Sequence, residues 1–142
     1  MDYNTYRNQY FVNPPPEQRY AFTGNFGAAL YYEDFQQAVD FYSLVLGPPA
    51  YAEGDGTRSW RIGDGWLTLL HGKHGNPRGV EIIFEMKSVL EAEKLHRDFI
   101  AAGGKGQNPT DEFMHVPVRF CPVTDPFGVD ILVISVLPGE ME

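Results

Sequence analysis

The sequence predicts an α+β domain, and three observations carry that expectation. Short apolar runs suited to strands alternate with two stripes of apolar residues at helical spacing. Glycine- and proline-rich turns separate them, and the order strand, helix, strands occurs twice. With 142 residues, 43% of them hydrophobic, the chain is long enough for one core, whereas each half alone is too small to bury one. The halves are therefore expected to pack together.

Residues 1–22 read as an arm. Tyr3, Tyr6, Tyr10, Phe11 and Tyr20 surround the run Pro14-Pro15-Pro16, which withholds backbone donors and favours an extended chain. The arm reads either as a disordered leader or as a segment packed on its own domain or a partner; solvated leaders usually lack so many rings. The domain itself is assigned to residues 23–137, with halves at about 23–72 and 79–137, and a tail at 138–142.

In the first half, Phe26 to Tyr32 suits a strand. Asp34 then suits a helix N-cap, its carboxylate accepting from the first unpaired amides. Phe35, Ala38, Val39, Phe41, Tyr42, Val45 and Leu46 follow on one helical face, and Gly47-Pro48-Pro49 stops the helix. Tyr51 belongs to a short strand, and Ser59–Ile62 with Trp66–His71 flank the hairpin signal Gly63-Asp64-Gly65. In the second half, Val80 to Met86 is a strand and Ser88 with Glu91 makes a capping box. Val89, Leu90, Ala92, Leu95, Phe99 and Ile100 form the second helical stripe, which ends at Gly103-Gly104. Strands around 116–123 and 130–136 flank the turn Asp125-Pro126-Phe127-Gly128.

Composition excludes several functions. The net charge of −8 repels phosphate backbones and no basic run overrides it, so no nucleic-acid partner is expected. No apolar stretch approaches the roughly 20 residues of a membrane span, and the N-terminus lacks a secretory core, so a cytoplasmic protein without a membrane partner is expected. The single cysteine, Cys121, forms no internal disulfide or cysteine-based zinc site and is expected to be buried and inert.

Three motifs in order, DFQQAVDFYSLVLG from Asp34, Ala101-Ala102-Gly103-Gly104, and the turn Asp125-Pro126-Phe127-Gly128 before a last strand, resemble the vicinal oxygen chelate superfamily. This is the group of glyoxalases, bleomycin-resistance proteins and extradiol dioxygenases. The phrase VTDPFGV is especially similar to its PhnB-like branch. The resemblance covers roughly residues 24–137. It implies two paired βαβββ modules, forming a curled mixed sheet around a central cavity, and a homodimer. In metal-using members, His, Glu or Gln ligands lie on four strands, one pair per half, and hold a divalent cation open to substrate oxygens. The matching positions here are Gly27, Thr68 (with His71 beyond it), Glu81 and Leu132. Glu81 alone is a competent ligand, so no cofactor is expected and a divalent metal is disfavoured.

Strand alternation then names a ligand face. If position 27 faces the cavity, so does Tyr31; Glu81, Ile83 and Glu85 line it from the next module, and Asp130 and Leu132 from the last strand. Arg119 is a candidate anion contact or the partner of Glu81 or Glu85. His115 is a candidate general base at the cavity mouth, whereas His71 and His74 read as loop histidines. Trp60, Trp66, Tyr31 and Phe120 read first as sheet core. Three functions fit: a metal-independent binder of a small organic, cationic or aromatic molecule; a divergent metal-dependent lyase, isomerase or dioxygenase; and an interaction module using the arm. The binder ranks first.

Overall fold

The computed structural model describes residues 1–138; of the expected tail, residues 139–142 lie outside the described residues. A short helix, α1 (Tyr3–Tyr10), precedes two modules built alike. The first contains β1 (Ala28–Tyr32), α2 (Phe35–Leu46), β2 (Tyr51–Glu53), β3 (Thr57–Ile62) and β4 (Gly65–His71), in the sheet order β1-β4-β3-β2. The second contains β5 (Glu81–Glu85), α3 (Val89–Ala101), β6 (Lys105–Gly106), β7 (Thr110–Phe113), β8 (Pro117–Thr124) and β9 (Asp130–Val136), ordered β5-β9-β8, with β6 and β7 both on β8. In each module the first strand runs parallel to the last, and the remaining pairs are antiparallel. The helix supplies the crossover that parallel neighbours require. The two mixed sheets are curled but not closed.

One face of each sheet packs on the helices. Leu30, Tyr32, Trp60, Leu67 and Leu69 from the first sheet meet Ile82, Phe84, Cys121, Ile131 and Val133 from the second, around Ala38, Phe41, Tyr42, Ala92 and Phe99. Rings join the modules: Phe41 stacks on Phe99 at 5.9 Å, and Tyr42 and Phe84 lie 6.2 and 5.7 Å from it. Cys121 is fully buried, and that burial pushes its thiol above the usual range.

Local expectations fare unevenly. The Ser88 hydroxyl accepts from the Glu91 amide at 3.2 Å, half of the expected capping box. Asp34 sits at the start of α2 but its carboxylate caps nothing; it accepts instead from the Asn76 side chain at 2.8 Å, tying the helix entry to the inter-module loop. β1 starts two residues later than the apolar run, leaving Phe26 92% exposed. β6 and β7 escape sequence reading because Lys105–Gly106 and Thr110–Phe113 lack apolar alternation; they are held by pairing with β8. The β3–β4 turn needs glycine twice: Gly63 takes a positive φ of 59°, and a Cβ on Gly65 would collide with the Phe26 carbonyl oxygen.

The arm contains a helix that the proline run and polar composition conceal. Asp2 accepts from the Thr5 amide at 2.8 Å, an N-cap. Tyr3 is buried and its hydroxyl donates to the His115 carbonyl at 2.5 Å; the Tyr6 hydroxyl donates to the Phe113 carbonyl at 3.3 Å. The helix of the arm is thus docked on the β7–β8 turn, while residues 11–22 are exposed.

Candidate functional site

The sheet faces turned away from the helices form the candidate site. On the first sheet, register places Ala29, Thr68 and Ser59 in one row, and Tyr31, Leu70 and Thr57 in the next. Ser59 and Thr68 share a 2.8 Å hydrogen bond between hydroxyls, so Thr68 is engaged within the sheet. Beside them Tyr51 meets the Trp66 ring at 6.5 Å, and the Arg61 guanidinium lies 4.8 Å over Trp66. Trp66 and Tyr31, first read as core, are 38% and 61% exposed, whereas Trp60 is buried on the helix side. Alternation puts rings 60 and 66 on opposite faces, a distinction composition does not reveal. This face carries a Tyr51–Trp66 ring pair that already seats one cationic group, with Tyr31 farther along the sheet in register with Leu70.

The second sheet offers a different wall. Glu81, Ile83 and Glu85 point outward from β5 and are exposed, opposite Asp130, Leu132 and Ile134 in register on β9. Glu81 and Asp130 border a cleft of about 220 Å³ with Lys105, Gln107 and Phe120. Leu132, Ile134 and Val118 on this same face are buried, covered by Met114 and Val116 of the β7–β8 turn and by Phe120. Leu132 therefore packs within an apolar patch.

Arg119 does not join this group. It is the register partner of Ser135, on the helix side of β8, and donates to Asp111 at 2.6 Å and Glu93 at 2.9 Å. Its ion pairs are with these two carboxylates and not with Glu81 or Glu85, and they hold α3 to β7. His115 lies exposed in the β7–β8 turn, its ring 6.5 Å from Phe11, away from the Glu81 cleft. His71 ends β4 with its ring 5.9 Å from Phe35, and His74 is exposed in the following loop.

The four positions implied for metal ligation carry a glycine, a hydrogen-bonded threonine, an exposed glutamate and a buried leucine. Among the described residues no group of three or more His, Cys, Asp or Glu side chains comes together as a metal site requires. This donor set does not fit a divalent metal.

One charged residue that sequence reading passed over as a turn former organises the module junction. Asp125 is buried, and no cation pairs with it among the described residues. Its Oδ2 accepts from the hydroxyls of Tyr32 at 2.9 Å and Tyr42 at 3.0 Å, and its Oδ1 from the amides of Phe127 and Val129 at 2.8 Å each. The two tyrosines come from β1 and α2, so this carboxylate bolts the first module to the last turn of the second. The clue available in sequence was an Asx-type turn together with apolar-face tyrosines whose hydroxyls need partners when buried.

Burial, with the Asp125 charge behind it, holds the Tyr32 hydroxyl well above the ordinary tyrosine range; for Tyr42, burial, Tyr32 and then Asp125 do the same. The unfolded chain releases these protons near pH 10 while the folded one keeps them, so stability falls as pH rises past about 10. In an alkaline titration, phenolate absorbance from Tyr32 and Tyr42 should appear only with unfolding. Tyr32→Phe and Tyr42→Phe should each remove one phenolate from that coincident amplitude. Ionisation of both rings in folded protein would contradict the geometry.

A second cleft, of about 460 Å³, opens between α1 and the β7–β8 turn and is lined by Tyr6, Tyr10, Phe11, Phe113, Met114 and His115. Tyr6 packs on Phe113 and on Tyr10, each at 4.9 Å between centroids.

Comparison with known proteins follows the same outline. The model of the Glyoxalase/Bleomycin resistance protein/Dioxygenase superfamily matches residues 26–133. No curated protein matches the chain. Among solved structures, a glyoxalase/bleomycin resistance protein from Albidiferax ferrireducens T118 is similar at a TM-score of 0.62 and 19% identity, covering 78% of this chain and 97% of that one. A lactoylglutathione lyase from Agrobacterium tumefaciens gives 0.63 and 17%, with 82% and 96% covered. An integron cassette protein from the mobile metagenome of V. cholerae gives 0.64 and 17%, with 83% and 98% covered. At such identities the likeness is one of fold.

Proposed function

The chain belongs to the glyoxalase/bleomycin resistance protein/dioxygenase superfamily, and from that premise we propose that it is a metal-independent binder of small aromatic or cationic organic molecules. Within the superfamily we place it near the PhnB-like branch, on the strength of VTDPFGV at the last turn. The observation that carries the reading is the first sheet's open face. At the positions where metal chemistry needs ligands it carries Gly27 and a hydrogen-bonded Thr68, and beside them it presents Tyr31, Tyr51 and Trp66, with Arg61 over the indole. Flat electron-rich surfaces favour flat or cationic partners. The outward carboxylates Glu81, Glu85 and Asp130 of the second sheet suit the same cation. A homodimer in which a second copy closes these faces into a cavity, and a cytoplasmic location, are part of the proposal. One fold hosts many activities, which is why the reading rests on these side chains.

A titration with planar aromatic cations in the presence of chelator tests it. Trp66 emission should be quenched, and Trp66→Leu should weaken binding by about tenfold, within the range of a partly desolvated cation–π contact. Quenching by none of a broad panel would contradict the proposal. The second reading, a metal-dependent lyase, isomerase or dioxygenase with relocated ligands, draws on Glu81 as the register partner of Asp130. In that case Glu81→Ala should abolish stoichiometric metal binding.

A further inference from the structure

We propose that the cleft between α1 and the β7–β8 turn is a second binding site, one that takes a small free quaternary-ammonium molecule. It stands apart from the sheet faces discussed above, and half of its wall comes from the arm, outside the residues that match the superfamily.

The lining decides the ligand class. Tyr6, Tyr10, Phe11 and Phe113 contribute four aromatic rings, and Met114 adds a polarisable thioether. Among the described residues His115 is the one basic side chain of the lining and no lysine, arginine or carboxylate joins it, so a metal ion finds a single ligand there and an anion a single imidazole. A quaternary ammonium needs neither hydrogen-bond acceptors nor a counter-charge, and binds aromatic faces. The cleft, about 460 Å³ and open to solvent, has room for a small molecule.

The surroundings bear on a cation in three ways. The Arg7 guanidinium, which does not line the cleft, lies 5.5 Å from the centre of the Phe11 ring and takes up that ring, so a free cation relies on Tyr6, Tyr10 and Phe113. Tyr10, the last residue of α1, and Phe11, its C-cap, both line the cleft, so the negative end of the helix dipole lies beside it. The chain as a whole carries −8. The walls are also pre-positioned: Tyr3 and Tyr6 hydrogen-bond the carbonyls of His115 and Phe113, fixing the helix against the turn.

The experiment is an NMR titration of the full chain with choline and with its uncharged isostere 3,3-dimethylbutanol, following the Met114 methyl and the cleft rings. Choline should shift these resonances saturably in the millimolar range, and the isostere should bind about two- to fivefold more weakly, the margin that solvent-exposed cation–π contacts supply. Tyr10→Leu, at an exposed ring, should weaken choline several-fold while leaving the spectrum of the core unchanged; Tyr6→Leu should do the same more strongly. Equal binding of choline and isostere would overturn the assignment, leaving only an apolar groove. So would the absence of any shift, or indifference to both substitutions. Co-sedimentation with phosphatidylcholine vesicles without binding of free choline would overturn it too, in favour of a lipid surface. Failure here leaves the sheet-face proposal standing, because Trp66 lies outside this cleft.

Discussion

Asp125→Ala should destabilise the protein by about 3–6 kcal/mol, the largest effect expected of any single substitution considered. The side chain satisfies two buried hydroxyls and two backbone amides. Each buried polar group left without a partner costs about 1–3 kcal/mol. The loss is not the full sum, because Tyr32 and Tyr42 lie 3.4 Å apart and can still bond each other. Asp125→Asn separates charge from geometry: its amide oxygen can still accept from the Phe127 and Val129 amides, and its NH₂ can donate to one phenol oxygen. It should lose only about 1–2 kcal/mol, the scale of a single buried hydrogen bond. Urea unfolding of the three proteins measures this directly. A wild-type-like midpoint for the alanine variant would mean that Asp125 does not join the modules.

Phe99→Ala should lose about 3–5 kcal/mol, the usual consequence of deleting a fully buried phenyl ring. The effect lands at the inter-module contact, since Phe99 meets Phe41 and Tyr42 of the first module and Phe84 of its own. With domain stabilities of roughly 5–15 kcal/mol, the variant should be marginal at room temperature. Phe99→Leu, which keeps most of the volume, should retain more than half of the lost stability. A non-coincident transition seen by Trp60 fluorescence and by circular dichroism would show that the modules had uncoupled; Trp60 lies 6.2 Å from Tyr42 and reports on the first module.

These two residues also show what the sequence makes legible. Phe99 was visible as part of a helical stripe, because periodicity is written in neighbouring positions. The outward set Glu81, Ile83 and Glu85 was visible for the same reason, in a strand with period two. Asp125 was visible only as a turn residue, since its burial depends on Tyr32 and Tyr42, 93 and 83 positions earlier. Arg119 was misplaced by one face: its partners Asp111 and Glu93 come from a polar edge strand and a helix surface that carry no apolar signal. The helix in the arm was concealed because Asn, Thr and Tyr are weak helix formers; the Asp2 cap and docking through Tyr3 and Tyr6 hold it.

The same contrast governs the site. Residue types at the family's ligand positions can be read from sequence, and they argue against a metal before any fold is considered. The aromatic face cannot be read that way, because Tyr31, Tyr51 and Trp66 come from three strands whose register alone brings them to one side. The position of Leu132 gains meaning from the fold as well: it is sealed beneath the β7–β8 turn, so the second sheet contributes its carboxylates from β5 and the start of β9 and not from the middle of its last strand.

The central claim, binding without a metal, is tested most directly by elemental analysis of the purified protein, paired with thermal melts in added Ni, Mn, Fe or Zn. The account predicts substoichiometric metal of every kind and no rise in melting temperature, with planar-cation binding unchanged by chelator. Stoichiometric metal lost in Glu81→Ala, or a melt raised by several degrees through mass action on the native state, would contradict it and make metal-dependent catalysis the better reading.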